Sequence, residues 1–404
     1  MKKLTQCTLF IIPFVVNLFF STQLWATPKI IFWNAHQHAN YVVKLVEEFQ
    51  KSSAIEVELY QFLSPKLRDE VLTQARTNQL PDLLYVPGDF VGLYREINLT
   101  PVPADWQNTD IEPRVRDAGK VDGNYYGVPL FQGNHLMLFY NRSLVEKPIA
   151  TWGELKTQMK DFPADMQYPI TWNYREMYWL VPFMSAFGSW PLEGDKITLD
   201  TPQMQQALTF YKALANDNVV DTNCDHDCSV ERFKAGKSVY MINGDWVIRD
   251  LEKAMGDKLG IAMLPKIGDK VMRPMFSSYV LAYPNLSKDS LKFEMLKKFT
   301  QFAQSKQAQE IIRDQGGLMP VNNQALTQDA RATTENNKVV IKQMRSTKTM
   351  PTSPNMSIAW SAMSKGFNRL MDHNYTVQQS VQLMQRVADR EVKRRKKVSN
   401  PSDK

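Results

Sequence analysis

Two cysteines stand close enough together to act chemically as a pair. Cys224 and Cys228 bound the segment Cys-Asp-His-Asp-Cys, whose central residue is His226. Thiolates and imidazoles are zinc ligands, but structural zinc sites normally take a second pair of ligands, which this segment lacks. In an oxidising compartment the same two cysteines would form a local disulfide. The redox state of the compartment therefore decides between a disulfide and a metal site. We predict the disulfide, with the metal site as the alternative.

The first 26 residues have the pattern of an export signal. Lys2 and Lys3 precede an apolar run over residues 9–20, and a more polar stretch then ends at Ala26. The run is too short to span a bilayer comfortably, and a charged start followed by such a run is typical of a cleaved signal peptide. We predict cleavage near Ala26 and an exported, soluble protein in an oxidising compartment.

The other residues with chemical potential are scattered along the chain. His36, His38 and His135 could bind zinc, but no carboxylate or cysteine completes the set, so we predict hydrogen-bonding roles for them. Asp89 and Asp245 could serve as the acid and base of a glycosidase, and only their separation in space would decide this. Three arginines could bind a phosphate group; they are Arg68, Arg95 and Arg175.

Motifs of catalysis are missing from the sequence. It contains no G-x-S-x-G, no H-E-x-x-H and no glycine-rich phosphate-binding loop, which are the short patterns that carry nucleophilic, metal-dependent and nucleotide chemistry. The sequence therefore offers no motif of these enzyme classes, and we predict no cofactor and no metal, while Asp89 and Asp245 leave a glycosidase open.

Composition and charge exclude further classes. The chain has 404 residues, of which 43% are hydrophobic and 23% charged, as in a globular protein of about two domains. Its net charge of +7 comes from the two ends, Lys2 with Lys3 and the basic run at residues 393–397. Without them, basic and acidic residues are equal in number, so a nucleic-acid-binding face is not predicted. The basic run is predicted to be a solvated tail, with contact to anionic lipid or RNA as the alternative.

Strands and helices alternate in the first part of the mature chain. Residues 29–33 and the alternating residues 55–59 predict strands, a helical stripe begins at Val42, a second helix lies around Val71, and residues 83–86 predict a third strand. Such alternation indicates parallel strands joined by crossover helices. Ligands of these sheets bind at the carboxyl ends of the strands, which here are Trp33-Asn34 and the residues up to Asp89.

The pattern repeats further along. Residues 132–134 are small and polar between two apolar stretches, as expected where a chain crosses between lobes. Periodicity then predicts a helix over 207–214, strands at 239–242 and 261–264, one long helix over 291–313 that ends at Gly316-Gly317, and a last helix over 376–396.

Several segments, in order and spacing, resemble a known family. They are Pro81-Asp82-Leu83-Leu84-Tyr85 up to Asp89, Gly127-Val128-Pro129 up to Phe139-Tyr140-Asn141, Thr151-Trp152-Gly153-Glu154-Leu155, Phe233-Lys234-Ala235-Gly236-Lys237, Met241-Ile242-Asn243-Gly244-Asp245-Trp246, Met263-Leu264-Pro265 and Gly317-Leu318-Met319-Pro320-Val321. Together they resemble the periplasmic substrate-binding proteins of ABC importers, the extracellular solute-binding group typified by the maltose-binding protein.

The resemblance implies an α/β fold of two lobes that close on a ligand like a clamp. We expect the N-terminal lobe at residues 27–133 and 265–318, the C-terminal lobe at 134–264 and 319–390, and a basic tail at 391–404. The resemblance also implies a monomer that delivers its ligand to a membrane permease and performs no reaction.

The resemblance also implies the site. Asp89 matches an acidic residue that accepts hydrogen bonds from sugar hydroxyls, and Asn134 falls where the maltose-binding protein has a carboxylate, so one charged acceptor is missing. Tyr178, Trp246 and Trp360 match aromatic platforms for the ligand. Asn34 and His36, in the loop after the first strand, fall where family members offer polar contacts, and Trp33, Tyr174 and Tyr279 lie near positions of ligand-binding aromatic residues.

The chemistry of these residues supports a carbohydrate. Aromatic faces pack on the C–H faces of a sugar ring, and carboxylates and amides satisfy its hydroxyls. We predict a sugar, most simply an oligosaccharide. The alternatives are a receptor of the same fold for glycerol phosphate or another phosphorylated polyol, a periplasmic carbohydrate-active enzyme, or an adhesive envelope protein.

Overall fold

The computed structural model describes residues 28–36, 40–108, 110–163, 166–321 and 334–399. The predicted signal peptide and His38 lie outside these residues. None of the described helices combines the length and the apolar character that a membrane span needs.

The described part of the chain forms strands and helices in mixed order. In chain order the strands are β1 Ile30–Asn34, β2 Val57–Gln61, β3 Leu83–Pro87, β4 Lys120–Val121, β5 Asn124–Tyr125, β6 Gly127–Pro129, β7 Phe131–Gln132, β8 Leu136–Asn141, β9 Ile170–Thr171, β10 Leu192–Glu193, β11 Lys196–Ile197, β12 Tyr240–Gly244, β13 Leu259–Ala262, β14 Met275–Phe276, β15 Tyr279–Ala282, β16 Met319–Pro320 and β17 Lys348–Thr349. The α-helices are α1 Asn40–Ser53, α2 Ser64–Gln74, α3 Pro113–Arg116, α4 Trp152–Gln158, α5 Met177–Ala186, α6 Pro202–Asn216, α7 His226–Lys234, α8 Ile248–Met255, α9 Leu291–Ala303, α10 Lys306–Gly316, α11 Glu335–Arg345, α12 Asn355–Asp372 and α13 Val377–Ser399.

The first lobe is built on a five-stranded sheet in the order β2-β1-β3-β15-β6. β1, β2 and β3 are parallel, as the alternation of strand and helix predicts. β15 is antiparallel to both β3 and β6. It returns to this sheet after the chain has passed through the second lobe, so its direction is not set by a local crossover.

The second lobe is built on a four-stranded sheet in the order β13-β8-β12-β9. Here β8 is antiparallel to both β12 and β13. Along β8, Leu136 and Leu138 face one apolar core while Met137 and Phe139 face another. A strand that is buried on both faces reads as a continuous apolar run, which is why the sequence around it shows no alternation.

The chain crosses between the lobes where short strands meet. β7 pairs with β16, and Gly133 forms a bridge with Ser277. Residues before Ser277 still belong to the second lobe, since Met272 and Met275 pack in its core. The crossing therefore lies about ten residues later than the predicted boundary at residue 265.

Two helical predictions need correction. The predicted single helix over 291–313 is two helices, because Ser305 ends the first stretch and its hydroxyl accepts a hydrogen bond from the Ala308 N–H at the start of α10. Gly317 caps α10 in the left-handed conformation, with φ 68°, as its position in the sequence suggests. The last helix, predicted over 376–396, is α13 and continues to Ser399. Four of the five basic residues at 393–397 are exposed, so the basic run is solvated but helical.

Candidate functional site

The crossing segment requires glycine at one position. Gly133 has a φ of 130°, and a Cβ atom placed there would lie 2.1 Å from Oδ2 of Asp245. The same carboxylate oxygen accepts a hydrogen bond from the backbone N–H of Asn134, at 2.9 Å. The carbonyl of Asn134 accepts a hydrogen bond from the Tyr178 hydroxyl. Asn134 thus contributes its backbone to the junction of the lobes.

Three aromatic side chains of the second lobe form a partly exposed wall beside this crossing. The ring of Tyr178, on α5, lies 6.2 Å from that of Trp246, which follows β12, and 6.3 Å from that of Trp360 on α12. Trp179 supports the wall from behind, with its ring edge-on to Trp246 at 6.0 Å. The helical spacing of α5 therefore presents one aromatic residue to the wall and buries the next.

A carboxylate of the first lobe meets this wall. Asp89, just after β3, is 3% exposed. Its Oδ2 accepts a hydrogen bond from Nη2 of Arg68, at 2.6 Å, and one from Nε1 of Trp360, at 3.1 Å. The guanidinium of Arg68 also stacks on the Phe90 ring, 4.1 Å from its centre. Because Asp89 and Trp360 belong to different lobes, this hydrogen bond joins the lobes directly, and we call the region where the two lobes face each other here the interlobe cleft.

A second aromatic group lines the first-lobe side. His36 stacks on Tyr279, with ring centres 4.8 Å apart, and its Nδ1 lies 2.5 Å from the Tyr41 hydroxyl. Burial lowers the pKa of His36 to about 3, so the ring is neutral. Burial also raises the pKa of the Tyr279 hydroxyl, and the charges of Asp89 and Asp245 raise it further. Tyr279 therefore stays protonated and can donate.

One further carboxylate near the aromatic wall, Glu176, is not among the residues predicted from the sequence. It immediately precedes α5, two residues before Tyr178. Burial raises the pKa of its carboxyl group; Arg68 lowers it, and Asp89 raises it again. Arg68 and Asp89 belong to the first lobe, so charges of the other lobe act on Glu176. A glutamate next to a strongly apolar helix was the available hint.

Comparison with known proteins agrees with this architecture. Residues 44–339 match the family model described as bacterial extracellular solute-binding protein. This chain belongs to the family of bacterial extracellular solute-binding proteins.

Related proteins extend the match. A maltotriose-binding protein from Pyrococcus abyssi (strain GE5 / Orsay) is 27% identical over 250 residues, which are 59% of this chain and 54% of that protein. A maltooligosaccharide ABC transporter solute-binding lipoprotein from Streptococcus pneumoniae (strain ATCC BAA-255 / R6) is 21% identical over 80% of this chain and 79% of its own. The maltose/maltodextrin-binding domain MalE from Bdellovibrio bacteriovorus bound to maltotriose superposes with a TM-score of 0.85 and 23% identity, covering 91% of this chain and all of that one.

Two predicted site residues of this solute-binding protein have structural roles. Tyr174 is fully buried, stacks on Tyr211 at 4.4 Å and donates its hydroxyl to the Tyr211 carbonyl, at 3.0 Å. Its prediction as a ligand contact is wrong, because its aromatic neighbours make it part of the core. Asn34 is buried too, and its amide accepts from and donates to the backbone of His36, at 2.8 and 3.0 Å. Asn34 therefore shapes the loop that positions His36.

Trp33 lies at the end of β1, half-buried, on the strand face opposite Asn34. Its ring packs against Phe62 at 5.2 Å. This pairing places it beside the residues that follow β2, at the edge of the first lobe. The aromatic residues Phe32 and Trp33 lie on opposite faces of β1, so aromatic character alone does not distinguish the two faces of this strand.

The solute-binding protein contains the predicted disulfide between Cys224 and Cys228, with Cα atoms 5.3 Å apart. It fixes the loop that leads into α7, and Asp225 caps that helix by accepting from the Cys228 N–H, at 2.9 Å. The first helical residue, His226, accepts a hydrogen bond at Nε2 from Nε1 of Trp246, at 3.3 Å. The loop thus reaches the aromatic wall.

The metal and phosphate alternatives receive no support from the described residues. Among them, no group of three or more histidine, cysteine, aspartate or glutamate side chains could hold a metal ion. The three arginines do not converge, since Arg68 pairs with Asp89 while Arg175 binds Asp372 at 3.0 Å. Arg95 is exposed and lies 3.8 Å from Asp122.

Proposed function

We propose that this protein is the substrate receptor of an ABC importer and captures an oligosaccharide in the interlobe cleft. The observation that carries the proposal is the aromatic wall of Tyr178, Trp246 and Trp360 facing the carboxylate of Asp89. Aromatic faces bind the apolar side of a sugar ring, and a carboxylate accepts its hydroxyls. Tyr279 and His36 extend this surface on the first-lobe side.

Glucose oligomers are the preferred ligand class. The relatives described above are named for maltotriose and maltooligosaccharides, and a further one, from Bacillus subtilis (strain 168), is named for galactooligosaccharides. A run of three rings offers room for more than one sugar unit, which suits an oligosaccharide better than a monosaccharide. The scattered arginines do not favour a phosphorylated polyol.

The remaining features complete the proposal. The signal peptide would export the protein to the periplasm, where the disulfide is stable. There it would act as a monomer, deliver its sugar to a membrane permease and leave the sugar unchanged. Asp89 and Asp245 would then serve as hydrogen-bond acceptors instead of as an acid–base pair.

Thermal unfolding against a ligand panel tests the function. The panel contains maltotriose, longer maltodextrins, galactooligosaccharides, glycerol phosphate and zinc, and the protein lacks residues 1–26. A ligand that binds only the folded state stabilises it by about 2.7 kcal/mol at a hundredfold excess over its Kd. We expect a rise of the midpoint with one oligosaccharide class and unchanged sugar on chromatography. Chain cleavage of the sugar, or a shift with zinc or glycerol phosphate alone, would overturn the proposal.

A further inference from the structure

The carboxylate of Asp245 is buried at the crossing and only half of it is used. Asp245 is 2% exposed and follows β12 directly. Its Oδ2 accepts from the Asn134 N–H, at 2.9 Å, and lies 3.3 Å from Nδ1 of His135. Its Oδ1 has no hydrogen-bond partner among the described residues. Buried polar atoms are nearly always paired, because an unpaired one loses its hydration without compensation.

Contacts place this carboxylate beside the aromatic wall, because the backbone of Asn134 donates to its Oδ2 and accepts from the Tyr178 hydroxyl, and Trp246 is the next residue in the chain. Burial raises the pKa of the Tyr178 hydroxyl, and the charge of Asp245 raises it further, followed by Tyr279 and Asp89. Burial likewise raises the pKa of the Tyr279 hydroxyl, and the charges of Asp89 and Asp245 raise it further. Asp245 therefore lies next to Tyr178 and Trp246 of the aromatic wall, and its charge also acts on Tyr279 of the first lobe.

We propose that Oδ1 of Asp245 accepts a hydrogen bond from one hydroxyl of the bound oligosaccharide. This inference rests on the proposed function and names a specificity-determining residue within it. Oδ2 holds the crossing through Asn134, so the carboxylate couples the junction of the lobes to the ligand. A hydroxyl–carboxylate bond is charge-assisted, and a site built around one strongly rejects a ligand that lacks the hydroxyl.

The variant Asp245→Asn separates the two halves of this role. Its amide oxygen can still accept from the Asn134 N–H, while an N–H₂ group replaces the free oxygen and cannot accept. Asp250→Asn is the matched control, because it removes the same charge from an exposed position five residues further along the chain. Thermal unfolding without ligand verifies that both variants remain folded.

Calorimetric titration with maltotriose and its monodeoxy derivatives provides the test. We expect Asp245→Asn to bind maltotriose about 10- to 100-fold more weakly than the wild type, with Asp250→Asn unchanged. One deoxy derivative should bind the wild type weakly and lose nothing more in Asp245→Asn, since the same bond is already absent. Each of the other derivatives should show the same loss of affinity, relative to maltotriose, in the wild type and in Asp245→Asn.

Two results would count against it in different ways. If the wild type binds maltotriose and Asp245→Asn binds it equally well, or if no derivative is coupled to the substitution, Asp245 is purely structural and only this inference fails. If the wild type binds no oligosaccharide of the panel, the proposed function fails and the acceptor role falls with it.

Discussion

Arg395 of the second lobe forms an ion pair with Glu96 of the first, with 2.5 Å between Nη2 and Oε1. The same guanidinium donates to the carbonyl of Gly92, at 3.3 Å, and to that of Pro354. The side chains of Arg395 and Glu96 are only 20% and 32% exposed. The basic run at the end of α13 therefore includes a residue that spans the lobes. We infer that this contact favours the arrangement in which the lobes face each other closely.

Replacing Arg395 by alanine is expected to weaken ligand binding by about fivefold, because a partly buried ion pair contributes about 1 kcal/mol. The loss should lie mainly in faster dissociation, since the pair holds the two lobes together after the ligand is bound. Stopped-flow tryptophan fluorescence with the sugar identified by the panel measures both rates.

The neighbouring residue provides the control for this prediction. Arg394 is 78% exposed and pairs with Glu391 of its own helix, at 2.9 Å. Arg394→Ala removes the same charge and should bind like the wild type, and Glu96→Gln should behave like Arg395→Ala. Equal effects of the two arginine substitutions would show that long-range charge, and not the contact between the lobes, is responsible.

The hydrogen bond from Trp246 to His226 predicts that the disulfide loop tunes the aromatic wall. His226→Leu removes the acceptor and should weaken sugar binding by about three- to tenfold, since a neutral hydrogen bond contributes about 1 kcal/mol. His226→Gln keeps an acceptor and should retain most of the affinity. Titration with the sugar measures the affinity of each variant. The tryptophan emission of the free protein reports whether the surroundings of Trp246 change. If leucine and glutamine act alike, the bond does not position Trp246.

Trp360 and Tyr174 should separate binding from stability. Trp360→Ala removes a cleft ring and a donor to Asp89, so we expect at least a tenfold loss of affinity with a modest loss of stability, as at interface tryptophans. Tyr174→Ala removes a fully buried ring and should cost about 3–5 kcal/mol of unfolding free energy, with the affinity of the folded fraction unchanged. Urea unfolding and calorimetry on both variants measure the contrast. If Tyr174→Ala binds the sugar much more weakly and Trp360→Ala does not, Tyr174 contacts the ligand.

The sequence predicts the parts of the molecule that follow from local pattern. The helical stripe of α1, the strand ending at Pro87 and the cap at Gly317 depend on residues close to one another in the chain. The antiparallel return of β15 and the burial of Tyr174 depend on partners distant in sequence, Val86 and Tyr211 among them. Periodicity carries no information about such partners.

The same distinction applies to the site. Asp89 and Trp246 follow strand ends, where sequence reasoning looks for ligands. Glu176 precedes α5, a helix so apolar that its sequence indicates only a core. The charges that act on Glu176 belong to residues on the other lobe. The sequence predicts Asp245 only as half of an acid–base pair, because its contact with the Asn134 backbone exists only in the folded chain.

His36 should make the stability of this protein depend on pH. Burial lowers its pKa to about 3 from the ordinary value of 6.5, so between these values the unfolded chain takes up a proton that the folded protein does not. The stabilisation is complete above pH 6.5 and is lost as the pH falls toward 3. His36→Gln cannot titrate, so its midpoint of thermal unfolding should fall less steeply on acidification than that of the wild type. His373→Gln changes an exposed histidine and should keep the wild-type slope. If the midpoints of the wild type and His36→Gln fall in parallel with pH, His36 takes up its proton as readily in the folded protein as in the unfolded chain.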